Sequence, residues 1–194
     1  MTSSWVDEVT DAFGTLQGVV GETYGDVVVD VSPPSWVAAV TVARGDLRLS
    51  FFDWLSAVDE LDGVFTVVTH LYDPQRRQRL MLRTRVGETG PASLATITGV
   101  FAGASWHERE TCEMFGIDFE GHPNLVPLLL PDGFEGHPWR KSFVLASRAA
   151  KPWPGAKEPG ESEHGASPSR RKTLPPGVPD PGAWGPRRDG EASP

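Results

Sequence analysis

The chain has 194 residues, 39% of them hydrophobic, and a formal net charge of −8 at pH 7, which suits one folded domain carrying a long extension. Residues 1–150 hold 20 Asp/Glu against 11 Lys/Arg, and this acidic balance excludes nucleic acid or anionic lipid as the main partner, since phosphate groups call for a basic face. No apolar run approaches the ~20 residues that span a bilayer, Asp7 and Glu8 stand where a signal peptide needs basic and then apolar residues, and the single Cys112 provides neither an internal disulfide nor a four-thiolate iron–sulfur site.

In chain order, Ser4 followed by Asp7 reads as a capping-box start, and Trp5, Val6, Val9, Ala12 and Phe13 fall on one helical stripe that Gly14 ends. Residues 26–31 (DVVVDV) form a short β run between Gly25 and Ser32-Pro33-Pro34. Pro34 suits the first turn of a helix over 35–43. Residues 47–52 (LRLSFF) read as a strand leading into Asp53 to Asp59. Two further strands, 64–72 and 79–86, flank Asp73-Pro74-Gln75 and predict an antiparallel hairpin. In its second strand Leu80, Leu82 and Thr84 alternate with Met81, Arg83 and Arg85, one buried face and one wet face. A helix is expected over 92–101 from Leu94, Ile97 and Phe101, and a second capping box, Ser105 to Glu108, opens a short helix closed by Gly116.

The fold class that follows is α+β: a small, mostly antiparallel sheet packed with helices, then an extended C-terminal arm. The expected divisions are a globular domain at 1–117, a partner-binding arm at 118–150 and a tail at 151–194. The tail holds 10 of the 18 prolines and 7 of the 21 glycines, a composition of the disordered type. Trp153 and Trp184, among the basic clusters Arg170-Arg171-Lys172 and Arg187-Arg188, allow it to be either a docking strip or an ordinary extension.

The stretch from Trp106 to Phe143 is the most informative. Glu108, Arg109 and Glu110 are consecutive on a helix and point in different directions; Arg109 reaches toward Glu113 at i+4, and Glu108 suits the helix start. Two Glu-Gly-His-Pro tetrads follow, Glu120 to Pro123 and Glu135 to Pro138, and then Arg140-Lys141. An acid/base pair drawn from Glu108, Glu110, Glu113 and Asp118 would need a cleft between carboxylates. A metal site from His107, Cys112, His122 and His137 has suitable ligand types but no closed spacing. Cys112 reads as a small buried or interfacial hydrophobe.

The pattern Trp106-x-Glu108-Arg109-Glu110, Glu113, Met114-Phe115-Gly116-Ile117, Phe119 and Gly121-His122-Pro123 resembles the C subunit of the proton-pumping NADH:quinone oxidoreductase, complex I. Leu130-Pro131-Asp132-Gly133-Phe134-Glu135-Gly136-His137-Pro138 and Arg140-Lys141 continue it, and Asp53 to Asp59 resembles an upstream element of the family. The likeness covers roughly residues 25–145. Trp139, Val126-Pro127 and Cys112 depart from the usual pattern, as does the long tail, which leaves room for a variant paralogue.

The resemblance implies a structural subunit of the peripheral arm, on the cytoplasmic side of the cell membrane and attached to it only through the complex. It is expected to bind no cofactor itself and not to be catalytic, with NADH, FMN, iron–sulfur clusters and quinone carried by partner subunits. Its implied partners are the large quinone-site subunit and the iron–sulfur subunits. Glu108, Arg109, Glu110, Glu113, Gly116, His122, Pro123, His137, Pro138, Arg140 and Lys141 are the implied interface residues. The alternatives within the resemblance are a subunit of a related hydrogenase-like or deazaflavin-dependent quinone-reducing complex, and a free-standing interaction module.

Overall fold

The computed structural model describes residues 4–143; the expectations for 151–194 lie outside the described residues. Helix α1 (Trp5–Phe13) begins as the sequence indicates. The Ser4 hydroxyl accepts from the Asp7 N–H at 3.2 Å while Asp7 accepts from the Ser4 N–H at 3.1 Å. This reciprocal cap satisfies two donors that the first helical turn leaves without partners. Val9 and Phe13 point into the core. Gly14 does not stop the helical path: a 3-10 turn continues over Gly14–Leu16, and Gln17 reverses the chain at φ 55°.

Strand β1 (Val19–Thr23), absent from the sequence expectations, pairs antiparallel with β2 (Asp26–Asp30) through Tyr24 and Gly25, both at positive φ. That two-residue geometry matches the twist of a hairpin. A 3-10 turn at Pro33–Ser35 leads into α2 (Trp36–Gly45). The strand expected at 47–52 is displaced: β3 runs Phe51–Asp59. Leu47 and Leu49 are instead buried in the lead-in to it. Their apolar character reflects burial, and the backbone that pairs with a neighbour lies further on. The hairpin of β4 (Phe65–Asp73) and β5 (Gln78–Val86) forms in continuous register from Phe65↔Val86 to Asp73↔Gln78. At its turn Asp73 Oδ1 accepts from the Gln75 N–H at 2.9 Å.

The sheet order is β1-β2-β5-β4-β3, with β2 and β5 parallel and the other neighbours antiparallel. Leu55, Val67, Leu71, Leu80 and Leu82 join Trp36, Val40 and Phe13 in one core, so a single sheet face meets the helices. The expected helix over 92–101 does not form. Ser93–Ala95 is a short strand, β6, parallel to β7 (Asp118–Glu120), and tight turns follow it. Leu94, Ile97 and Phe101 are nevertheless buried. The apolar spacing marked the inward residues, while Gly99 and the β-branched Thr96 and Thr98 favour turns over a helix.

Helix α3 (Ala104–Phe115) starts one residue before the expected cap, with Gly103 at the N-cap position and no side-chain cap. Ser105 is therefore inside the helix, and Glu108 faces inward instead of capping it. Gly116 ends α3 at φ 72°, its N–H donating to the Cys112 carbonyl at 2.7 Å.

Candidate partner interface

Helix α3 and the chain beyond it form one unit, because the extended arm runs along the helix from its first turn to its last. The first tetrad is anchored by His122. The Asn124 N–H donates to His122 Nδ1 at 3.0 Å, which requires a lone pair there and places the ring proton on Nε2. That nitrogen lies 3.1 Å from the Ser105 carbonyl oxygen and 3.2 Å from the Ser105 hydroxyl. The second tetrad is anchored at the other end, where His137 Nδ1 donates to the Glu113 carbonyl at 2.8 Å. The two Gly-His-Pro turns thus clasp opposite ends of one helix.

Between them, Arg109 and Glu113 do not form the expected i,i+4 pair. Arg109 donates to the carbonyls of Val126 and Pro127 at 2.8 and 2.6 Å. Glu113 accepts the backbone N–H groups of Leu128, Leu129 and Leu130 at 3.2, 2.9 and 2.9 Å. Intrahelical ion pairs of this kind contribute about 0.2–0.5 kcal/mol. Backbone groups of an irregular segment cost more than that if left without partners, so binding the arm wins.

The end of α3 is closed in the same way. The Met114 carbonyl accepts from the Trp139 N–H at 3.2 Å, and the Phe115 carbonyl from Arg140 Nε at 2.6 Å. The Arg140 cation lies at the negative end of the helix dipole and over the Phe65 ring, 5.4 Å from its centroid. A Cβ at Gly116 would collide with Arg140 Nη2 and with His137 Nε2. Glycine is needed here for space as well as for φ. The Lys141 N–H then donates to Asp59 Oδ2 at 2.7 Å, and this bond is the main reason the Asp59 carboxyl is held below the usual aspartate range.

Glu108 is fully buried. It accepts from the Ile97 N–H at 2.7 Å and from the Thr96 hydroxyl at 2.5 Å, with His122 Nε2 at 3.9 Å. Burial pushes its carboxyl above the usual glutamate range, against the two hydrogen bonds and the imidazole. It ties α3, the turn after β6 and the first tetrad together.

Glu110 is half-exposed and makes no ion pair among the described residues, and Pro123 is exposed. Cys112 is half-buried beside the arm, and burial, then the charges of Asp118 and Glu113, pushes its thiol up, away from thiolate reactivity. The four carboxylates considered as an acid/base pair do not share a cleft: Glu108 points into the core and Glu113 is committed to the arm. The candidate metal ligands are also separated. His107 lies against the Leu55 backbone, 3.2 Å from its carbonyl oxygen, while His122 and His137 occupy opposite ends of α3. Among the described residues no group of three or more His, Cys, Asp or Glu is placed to hold a metal.

Asp59, Thr96, Ser105 and Trp139 were missing from the sequence-derived set. Each bonds a residue of the 104–143 unit across the fold, through contacts that spacing along the chain does not reveal. Five large apolar side chains of the unit are exposed: Trp106 at 69%, Leu129 at 57%, and Val126, Phe134 and Trp139.

These features define an α+β domain whose last helix is clasped by its own extended arm, with several large apolar side chains exposed. The same fold occurs in a chain of the membrane-bound sulfane sulfur reductase, an archaeal respiratory membrane complex. The TM-score is 0.64 at 18% identity, covering 79% of this chain and 95% of that one. Residues 29–149 match the family described as respiratory-chain NADH dehydrogenase, 30 Kd subunit, and the chain belongs to that family. The NADH-quinone oxidoreductase C subunit of Mesorhizobium japonicum is 40% identical over 129 residues, 63% of this chain and 62% of the relative. Its counterpart from Roseiflexus castenholzii is 42% identical over 130 residues, 65% of this chain and 74% of the relative. Among the described residues no helix is long and apolar enough to cross a membrane.

Proposed function

We propose that this chain is a structural, cofactor-free subunit in the peripheral arm of a membrane-bound NADH:quinone oxidoreductase. It seats against the large quinone-site subunit and the iron–sulfur subunits on the cytoplasmic side. Its work is positional: NADH, FMN, iron–sulfur clusters and quinone sit on those partners, and electron transfer from NADH to quinone depends on their being held in fixed relation.

The observation that carries the reading is the division of labour in the 104–143 unit. Five polar side chains of the implied interface set, Arg109, Glu113, His122, His137 and Arg140, bind the arm to α3, which fixes the arm's shape in advance. Trp106, Val126, Leu129, Phe134 and Trp139 remain exposed. An arm ordered in advance binds with little further loss of conformational freedom. Exposed large apolar side chains on an acidic domain suit a protein partner.

The test is affinity purification of the tagged chain from gently solubilised native membranes, with mass spectrometry of what co-elutes. Recovery of the large quinone-site and iron–sulfur subunits is the expected result. Recovery of the chain alone from the soluble fraction would overturn the reading.

A further inference from the structure

The five-stranded sheet has a second face that no element of the described chain covers. Val28 and Val68 point to it outside the core that unites the opposite face and are themselves buried, whereas Val58 at the β3 edge of the face is 47% exposed. Its two halves differ in charge. On β2 and β5 the ions are closed among themselves: Arg83 holds Asp30 through two bonds of 2.8 and 2.6 Å, and Arg85 pairs with Glu88 at 3.2 Å.

The β3–β4 half contains no Lys or Arg. A register shift between Phe52 and Trp54 makes Asp53 the extra residue of a β-bulge, which returns Trp54 to the face that Phe51 occupies. Four rings gather there. Phe51 meets Tyr72 edge-on at 6.4 Å, and Trp54 stacks on His70 at 6.0 Å. Phe51 is 50% exposed. Asp53 Oδ2 lies 2.9 Å from His70 Nδ1, and its other carboxylate oxygen has no partner among the described residues. The remaining acids of these strands are engaged elsewhere, Asp59 by Lys141 and Leu61, Asp73 by Arg76.

We propose that this aromatic and acidic half of the bare sheet face docks an arginine-bearing segment of a neighbouring subunit. A guanidinium is the group that both stacks on exposed aromatic rings and bonds a carboxylate side-on. The complement must be cationic, because the patch carries a carboxylate with one oxygen unpartnered among the described residues, on a domain of formal charge −9 over residues 1–150. A second copy would bring the same carboxylate and the same net charge, and an anionic lipid surface would be repelled. Two nine-residue strands about 4.8 Å apart present on the order of 300 Å² on this half, the footprint of one extended segment and less than half of the ~800 Å² per partner of an ordinary stable interface.

The inference rests on the assembly reading above, and the experiment separates the two. A photo-crosslinking phenylalanine analogue is placed at Phe51 in the tagged full-length chain, irradiated in native membranes, and the purified complex is mapped by mass spectrometry. The expected product joins Phe51 to another subunit within a few residues of an arginine. A complex that co-purifies but shows no such product, or a product with a second copy, with lipid or with a segment lacking arginine, overturns the docking site and leaves the assembly reading standing. A chain recovered alone overturns both.

Charge is tested with Asp53→Lys and Phe51→Arg, each expected to lower incorporation roughly tenfold, while Asp53→Glu retains it. Circular dichroism and thermal melts of the purified variants establish that each is folded. Equal incorporation of folded Asp53→Lys and wild type would sink the proposal.

Discussion

The β4–β5 hairpin and the clasped arm are both long, irregularly charged stretches, yet they are held by opposite means. The hairpin is a run of neighbouring pairs: nine residues face nine in unbroken register, and the turn at Asp73 is built from residues adjacent in sequence. The arm has local turns, such as Phe134 to Pro131 and Phe143 to Arg140, but its anchors to the rest of the fold are distant in sequence. Asp59 and Lys141 are bonded across 82 positions, and His137, Trp139 and Arg140 each bond a carbonyl of α3 more than twenty positions earlier. The contrast teaches that a local pattern is redundant and survives the loss of one member. A strap of single long-range bonds depends on each anchor.

The expected effects separate the two in kind, global for the core of the hairpin and local for the strap anchors. Deleting a core side chain of the hairpin, Leu82→Ala, should cost about 3–4 kcal/mol of global stability in urea unfolding while leaving strap anchors in place on the folded population. Glu108→Ala comes next at about 3 kcal/mol, because it opens a cavity and leaves the Ile97 N–H and the Thr96 hydroxyl without acceptors. Glu108→Gln keeps the shape and should cost under ~1 kcal/mol at neutral pH.

The two Glu108 variants also separate in their pH dependence. The folded value of Glu108 lies above its unfolded one, so the folded chain holds more protons between the two, and stability falls as pH rises through that window. Glu108→Gln should remove that fall, and a pH series of unfolding curves identical to wild type would contradict the buried-acid account.

His137→Ala should cost about 1–2 kcal/mol through the freed Glu113 carbonyl. Its sharper effect is local: limited proteolysis should cut within 125–140 before any global unfolding, whereas Leu82→Ala should show no such selective cut. The smallest effect belongs to Asp59. Its folded value is depressed, so the stability it lends is full above the unfolded value and lost as pH falls through the folded one. Asp59→Asn should lower stability modestly at neutral pH and converge on wild type in acid, so the acid limb of the stability curve flattens.

Where physics acts between neighbours, the sequence was enough. Ser4 and Asp7 specify a helix start, Asp73 and the alternation in 79–86 specify a hairpin, and Gly116 specifies a stop, because each depends on hydrogen bonds or φ values within a few residues. The short β1, with its mostly exposed side chains, left no alternating signal and became a strand only through β2. Residues 92–101 carried a helical spacing that correctly marked burial, but the pairing of β6 with a strand more than twenty positions later decided the backbone.

The same division holds for the candidate interface. The tetrads, the Glu-Arg-Glu run and Arg140-Lys141, which the motif singled out, all stand in the 104–143 unit. Their partners were not readable. Arg109 and Glu113 are spaced to pair with each other, and Glu108 is placed to cap, yet all three turn to distant backbone or buried groups. The reason is energetic. A local ion pair or cap is a small gain in water, and an unsatisfied amide of the arm or a turn buried by the fold is a larger loss. Sequence determined which residues carry charge, ring or conformational freedom. The tertiary structure alone decided which unsatisfied backbone groups those residues had to serve.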